Sequence, residues 1–223
     1  MLPLIIWVVW WRNWLKWPWK PKRWKPQKTP FCIWAVRRPP VPNGILFFKI
    51  RDLYESYVNP TTLKPSLYKR NIFEGGFTKT EKYIFKSDGR TVASTSKRKN
   101  NPETNRTFTV GNSTQDIVTL IYKLRTVNFQ NFKKDQIKSL ALVFDEKEIP
   151  VVVKFMGKET LSVGNLGTKE CYKIAIGAKT QVLKGKDKNI IWLTADTKKI
   201  PALIKFSIPV GTGQLTLSNA SGI

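Results

Sequence analysis

The acidic side chains are the first place to look for chemistry. Asp52 and Glu55 stand three apart in FFKIRDLYESYV. On a strand that odd spacing sends the two carboxyls to opposite faces, so they make no acid/base pair. Asp145, Glu146 and Glu148 crowd one point of LVFDEKEIP. They could hold a hard cation, but a turn between strands accounts for them equally. Cys171 alternates with Lys173 among apolar neighbours, and the chain has no histidine to activate it. That pattern fits a small core residue better than a nucleophile. The missing histidine also removes the usual general base and the commonest transition-metal ligand. Cys32 and Cys171 are the two cysteines, too few for a zinc site and enough for at most one disulfide. GNLGTKE and VGTGQL contain glycine turns without the spacing of a phosphate loop. The residue types therefore point away from catalysis, with no cofactor and no metal expected.

The elements that position these residues are mostly strands. From Phe47 to Phe85 the chain reads as three strands separated by Thr61-Thr62-Leu63-Lys64-Pro65 and by Gly75-Gly76. On the first, Phe48, Ile50, Tyr54 and Val58 share a face on which Asp52 and Ser56 intrude. On the second, Leu67 and Phe73 oppose Tyr68 and Arg70; on the third, Phe77, Tyr83 and Phe85 alternate with Thr78, Thr80 and Lys82. A period of two describes a sheet with one buried face. Thr91 to Thr95 is a short strand, and KRKNNPETNR, residues 97–106, reads as a solvated polar loop.

One helix is expected at about 113–126, with Ser113 as cap, Asp116 completing the start, and Ile117, Val118, Leu120, Ile121 and Leu124 on one apolar face. Further strands follow at 137–144, 149–156, 159–163, 168–176, 190–194, 200–209 and 214–217. The fold class is mainly β: a curved antiparallel sheet or incomplete β-barrel with one amphipathic helix.

The 223 residues carry 39 Lys and Arg against 15 Asp and Glu, a net charge of +24. Such a balance suggests an anionic partner. Residues 1–44 form an anomalous Trp/Pro/Lys-rich segment, with eight of the nine Trp and no acid. Three readings stand: a membrane-interface segment, a single-strand nucleic-acid contact, or a stretch out of frame with the rest. The apolar run before Arg12 is too short to span a bilayer, and it lacks the basic start and cleavage site of a signal peptide. Residues 45–223 are expected to form a single β-rich domain.

FFKIRDLYESYVNPTTLKPSLYKRNIFEGGF, QDIVTLIYKLRTVNF, LVFDEKEIPVVVKFMGKETLSV and IWLTADTKKIPALIKFSIPVG together span about residues 45–217. This combination resembles a family of exported bacterial proteins catalogued as domain of unknown function 3108. The resemblance implies a β-rich fold and a Gram-negative envelope location, periplasmic or associated with the outer membrane. It implies no established activity.

By analogy, incomplete barrels of this kind are similar to bacterial lipoprotein carriers, which shelter acyl chains against a concave apolar face. On that analogy Phe48, Tyr54, Phe73, Tyr83, Trp192 and Phe206 are the ligand-lining candidates, and lipid or lipoprotein is the partner. Ordinary core packing is the competing role for each. The alternative function is a basic module for an anionic envelope surface: lipopolysaccharide, acidic glycan or, less suited, nucleic acid. Neither reading is enzymatic.

Overall fold

Alternation with a period of two dominates from Arg51 onward, and nearly every such run is a strand. The computed structural model describes residues 7–8, 31–37, 51–59, 61–178, 188–208 and 211–217. The first sheet has seven strands in sequence order: β1 (Trp7–Val8), β2 (Phe31–Arg37), β3 (Arg51–Val58), β4 (Pro65–Glu74), β5 (Phe77–Phe85), β6 (Thr91–Arg98) and β7 (Thr104–Thr109). β1 pairs with β2 in parallel, and the other neighbours are antiparallel. The second sheet has six: β8 (Ile137–Phe144), β9 (Lys147–Ser162), β10 (Thr168–Gly177), β11 (Asn189–Thr194), β12 (Pro201–Ile208) and β13 (Gly211–Thr216), also paired in sequence order. Both sheets are open among the described residues, so the architecture is an unclosed, mainly β one. None of the described helices is long and apolar enough to cross a membrane.

Between the sheets runs the helix α1 (Ile117–Leu124), which buries Val118, Leu120, Ile121, Tyr122 and Leu124. One continuous core joins Tyr68, Tyr83 and Val92 of the first sheet to this helix and to Phe155, Tyr172, Ile174, Ile191 and Leu193 of the second. Phe129, in a 3₁₀ turn after the helix, packs its ring 5.7 Å from Tyr172. Cys171 is a buried free thiol whose pKa burial pushes up to about 11. It is held protonated at neutral pH, as a core residue would be.

Several boundaries differ from those the sequence suggests. The helix starts at Ile117 rather than near Ser113, because Asp116 is itself the cap: its carboxylate accepts from the Val118 and Thr119 N–H groups, each at 2.9 Å. The polar run 97–106 is not all loop. Arg98 ends β6 and Thr104 begins β7, an edge strand held by backbone pairing although most of its side chains are exposed. The two strands expected at 149–156 and 159–163 are one, β9. Gly157, at φ +121°, sits opposite Lys173 where the register with β10 slips, so a bulge bends the strand without ending it. β2 lies within residues 1–44 and pairs with β3, so part of that segment belongs to the sheet.

At the far edge, Phe206 pairs across from Gly213. A Cβ built on Gly213 would stand 2.5 Å from the Phe206 Cζ, so the ring lies over the glycine. Gly213→Ala must displace that ring. It is expected to lower stability by about 1–3 kcal/mol, read as a shift in the urea midpoint; an unchanged midpoint would show that the ring moves freely.

Candidate functional site

The face of the first sheet that meets α1 is not uniformly apolar. Cross-strand partners share a face, so the register sorts its residues into rows. One row runs Tyr54, Arg70, Glu81 and Ser96; the next runs Ser56, Tyr68, Tyr83, Ser94 and Arg106. A third holds Phe85, Val92 and Phe108. The face thus grades from apolar to charged across neighbouring rows.

The charged end is closed by the second sheet. The β8–β9 hairpin turns at Asp145 and Glu146, both left-handed, with φ +48° and +61°. Gly75-Gly76 makes the corresponding turn between β4 and β5 with residues suited to positive φ. Aspartate tolerates this region better than most residues and glutamate does not, and side-chain contacts help hold both there. Asp145 takes hydrogen bonds from Arg70 and from Lys79 Nζ, the latter at 2.8 Å. Glu146 accepts from Ser94 Oγ at 2.6 Å and forms an ion pair with Arg106 at 3.3 Å, while its N–H donates to the Tyr83 hydroxyl at 2.8 Å.

Arg70 also meets Glu81 Oε2 at 2.8 Å and lays its guanidinium 4.3 Å from the Phe144 ring centroid. Lys79 meets Glu81 Oε1 at 3.0 Å. These two contacts to Glu81 are ion pairs without hydrogen-bond alignment. Glu148 accepts from the Gly111 N–H at 3.0 Å and from the Thr114 hydroxyl. The three acids that could have held a cation are instead occupied by donors from the first sheet and the linker after it. No group of three or more potential metal ligands occurs among the described residues.

Two buried acids stand apart from this cluster. Asp116 accepts from Ser56 Oγ at 2.7 Å, and burial raises its pKa to about 6. Asp52 accepts from the Phe73 N–H at 3.1 Å, and burial raises its pKa to about 7, with Glu74 nearby adding to the shift. For Asp145, burial works upward, but hydrogen bonds from Lys79 and Arg70 outweigh it and hold the carboxyl below its ordinary value.

The lining candidates scatter. Phe48 lies outside the described residues. Tyr54 and Tyr83 share the inner face, Tyr54 partly buried and Tyr83 fully so. Phe73 does not join them: by register it lies on the opposite, outer face, where it is 36% exposed. Trp192 alternates with Leu193 along β11 but is buried, 3% exposed and part of the core cluster, with its indole N–H donating to Glu159 at 3.1 Å and the ammoniums of Lys173 and Lys205 5.5 and 5.3 Å from its ring. Phe206 is on the core side but covers Gly213. On β4 the strand pattern alone misleads because Tyr68 and Phe73 put aromatic residues on both faces.

The outer face of the first sheet was missed as a unit. Its rows are Glu55, Lys69, Lys82 and Thr95, then Tyr57, Leu67, Ile84 and Ala93. A further row carries Leu53, Asn71, Thr80 and Lys97. Lys69 Nζ lies 5.5 Å from the Tyr57 ring, linking the basic row to the apolar one. Ile84 is 38% exposed. The signal was in the sequence: Leu67 and Lys69 repeat opposite Lys82 and Ile84, but only the register shows that they meet.

A family model described as "Protein of unknown function (DUF3108)" matches residues 40–218. No curated protein matches the chain. Among solved structures, it is similar to a beta-barrel-like protein of domain of unknown function DUF1849 from Brucella abortus, with 11% identity and a TM-score of 0.44 over 84% of this chain and 94% of that one.

Arg70→Met leaves buried Glu81 dependent on Lys79 alone and removes one donor from Asp145. It is expected to cost about 3–5 kcal/mol in urea unfolding, while Arg70→Met with Glu81→Leu should recover much of that loss. The pH dependence has its own sign. Asp52 and Asp116 have folded pKa values above the ordinary carboxylate value, so between about pH 4 and 7 the native state holds protons that the unfolded chain releases. Stability should decline as pH rises through that window, and Asp52→Asn should flatten the decline. A urea midpoint equal or higher at pH 7.5 than at pH 4.5 would contradict this.

Proposed function

The chain belongs to the DUF3108 family, and from that starting point we propose that it is a non-enzymatic protein of the bacterial cell envelope that binds a phosphate-bearing anionic surface. The observation that carries this reading is the outer face of the first sheet. Lys69 and Lys82 are cross-strand partners there, Lys97 lies one row away, and Glu55 is the acid in their rows. Glu55 stands opposite Lys69 and offsets one of the three charges; the remaining like charges repel across the sheet and favour an anionic partner. The charge of residues 45–223, 30 basic against 15 acidic, agrees.

Sheltering of an acyl chain on the inner face has less support. Tyr83, Trp192 and Phe206 have protein partners: the Glu146 N–H, Glu159 and Gly213. The acids that might have served catalysis are likewise engaged by Arg70, Lys79, Ser94 and Thr114.

Binding of the full chain to inorganic polyphosphate should weaken steeply as NaCl rises. Lys69→Glu with Lys82→Glu should reduce that affinity at least tenfold, whereas the charge-matched Lys133→Glu with Lys134→Glu should change it by less than about threefold. Equal losses in the two double variants would mean that net charge alone, and not this face, governs binding.

A further inference from the structure

We infer that the anionic surface is a lipid headgroup layer, and that the row Tyr57, Leu67 and Ile84 enters the layer while Lys69 and Lys82 hold its phosphates. This rests on the reading of the outer face just given and names what that face touches. A soluble polyanion such as a nucleic acid or acidic glycan needs cations, and gains little from an exposed aliphatic row beside them. A headgroup layer presents both chemistries at once: phosphate, and a step below it the apolar boundary of the acyl chains.

The geometry matches that order. Rows of one face are two residues apart along each strand, about 7 Å. Lys69 and Lys82 in one row therefore flank Leu67 and Ile84 in the next on β4 and β5, with Glu55 and Thr95 at the ends of the lysine row. Lysine carries its charge on a long flexible stem, so its ammonium can stay at the phosphates while shorter neighbours go deeper. Tyr57 suits the boundary itself, since its ring is apolar and its hydroxyl polar. Lys69 already lies near that ring, 5.5 Å from its centroid. Ile84, the most exposed large aliphatic residue of the described chain at 38%, sits opposite Leu67 in the middle of the row. Left in water, this aliphatic surface is unfavourable, and burial in the layer reverses the sign.

The test uses the full chain and vesicles of phosphatidylglycerol mixed with phosphatidylcholine, with pure phosphatidylcholine as the neutral control. Ile84→Ser removes exposed apolar area without touching the core and should weaken partitioning to the anionic vesicles about five- to tenfold. Ile84→Trp should strengthen it, because tryptophan favours the interface. Neither should change affinity for polyphosphate, and both should melt near the parent. Unchanged vesicle binding in both Ile84 variants overturns the inference. Binding of the parent to polyphosphate but not to vesicles overturns it as well, while leaving the anionic-surface reading intact. Loss of neither ligand in Lys69→Glu with Lys82→Glu overturns both.

Discussion

A buried carboxylate fastens the helix to the first sheet. Asp116 caps the helix through two backbone N–H groups and receives the hydroxyl of Ser56 from β3 at 2.7 Å. Its neighbour Gln115 joins the other sheet, donating its N–H to the Ala141 carbonyl and accepting the Val143 N–H. Two successive residues thus fasten one helix end to both sheets. Buried away from water, each of these groups needs its partner, because an unmet one would carry the full desolvation penalty. Burial still raises the Asp116 pKa to about 6, so these three hydrogen bonds offset it only in part.

The second tie works by charge. Asp145 and Glu146 occupy a turn whose backbone favours glycine, asparagine or aspartate, so Glu146 is the residue out of place. Their side chains reach Arg70, Lys79, Ser94 and Arg106 on the first sheet. Local conformational preference and long-range electrostatics conflict, and the electrostatic contacts win because several converge on a partly buried point. The charged groups of this cluster are engaged with one another across the two sheets.

Much of the fold was legible in the sequence. The alternation of Phe77, Tyr83 and Phe85 with Thr78, Thr80 and Lys82 gives β5 and its face directly, and the run from Ile117 to Leu124 gives the helix. Asp52 and Ser56, which looked like intruders on an apolar face, are indeed buried. Phe73 marks the limit: which face a residue occupies depends on pairing with a distant strand, and a single bulge or a one-residue offset reverses it. β7 escaped notice because its side chains are mostly exposed and carry no period. The basic outer face escaped for the complementary reason: Lys69 and Lys82 look like ordinary solvated positions until the register places them side by side.

The sequential order of the strands has a kinetic consequence. Apart from the pairing of β1 with β2, each strand pairs antiparallel with its neighbour in the chain, so either sheet can zip from local hairpins with short loops to close. The contacts that bridge the sheets are of another kind, joining residues 60 apart at Ser56 and Asp116 and 75 apart at Arg70 and Asp145. Closing such long intervals comes late on an energy landscape ordered by loop entropy. The seam contacts therefore close after the local hairpins. Substitutions at the seam will govern how long the assembled molecule lasts more than how quickly it forms.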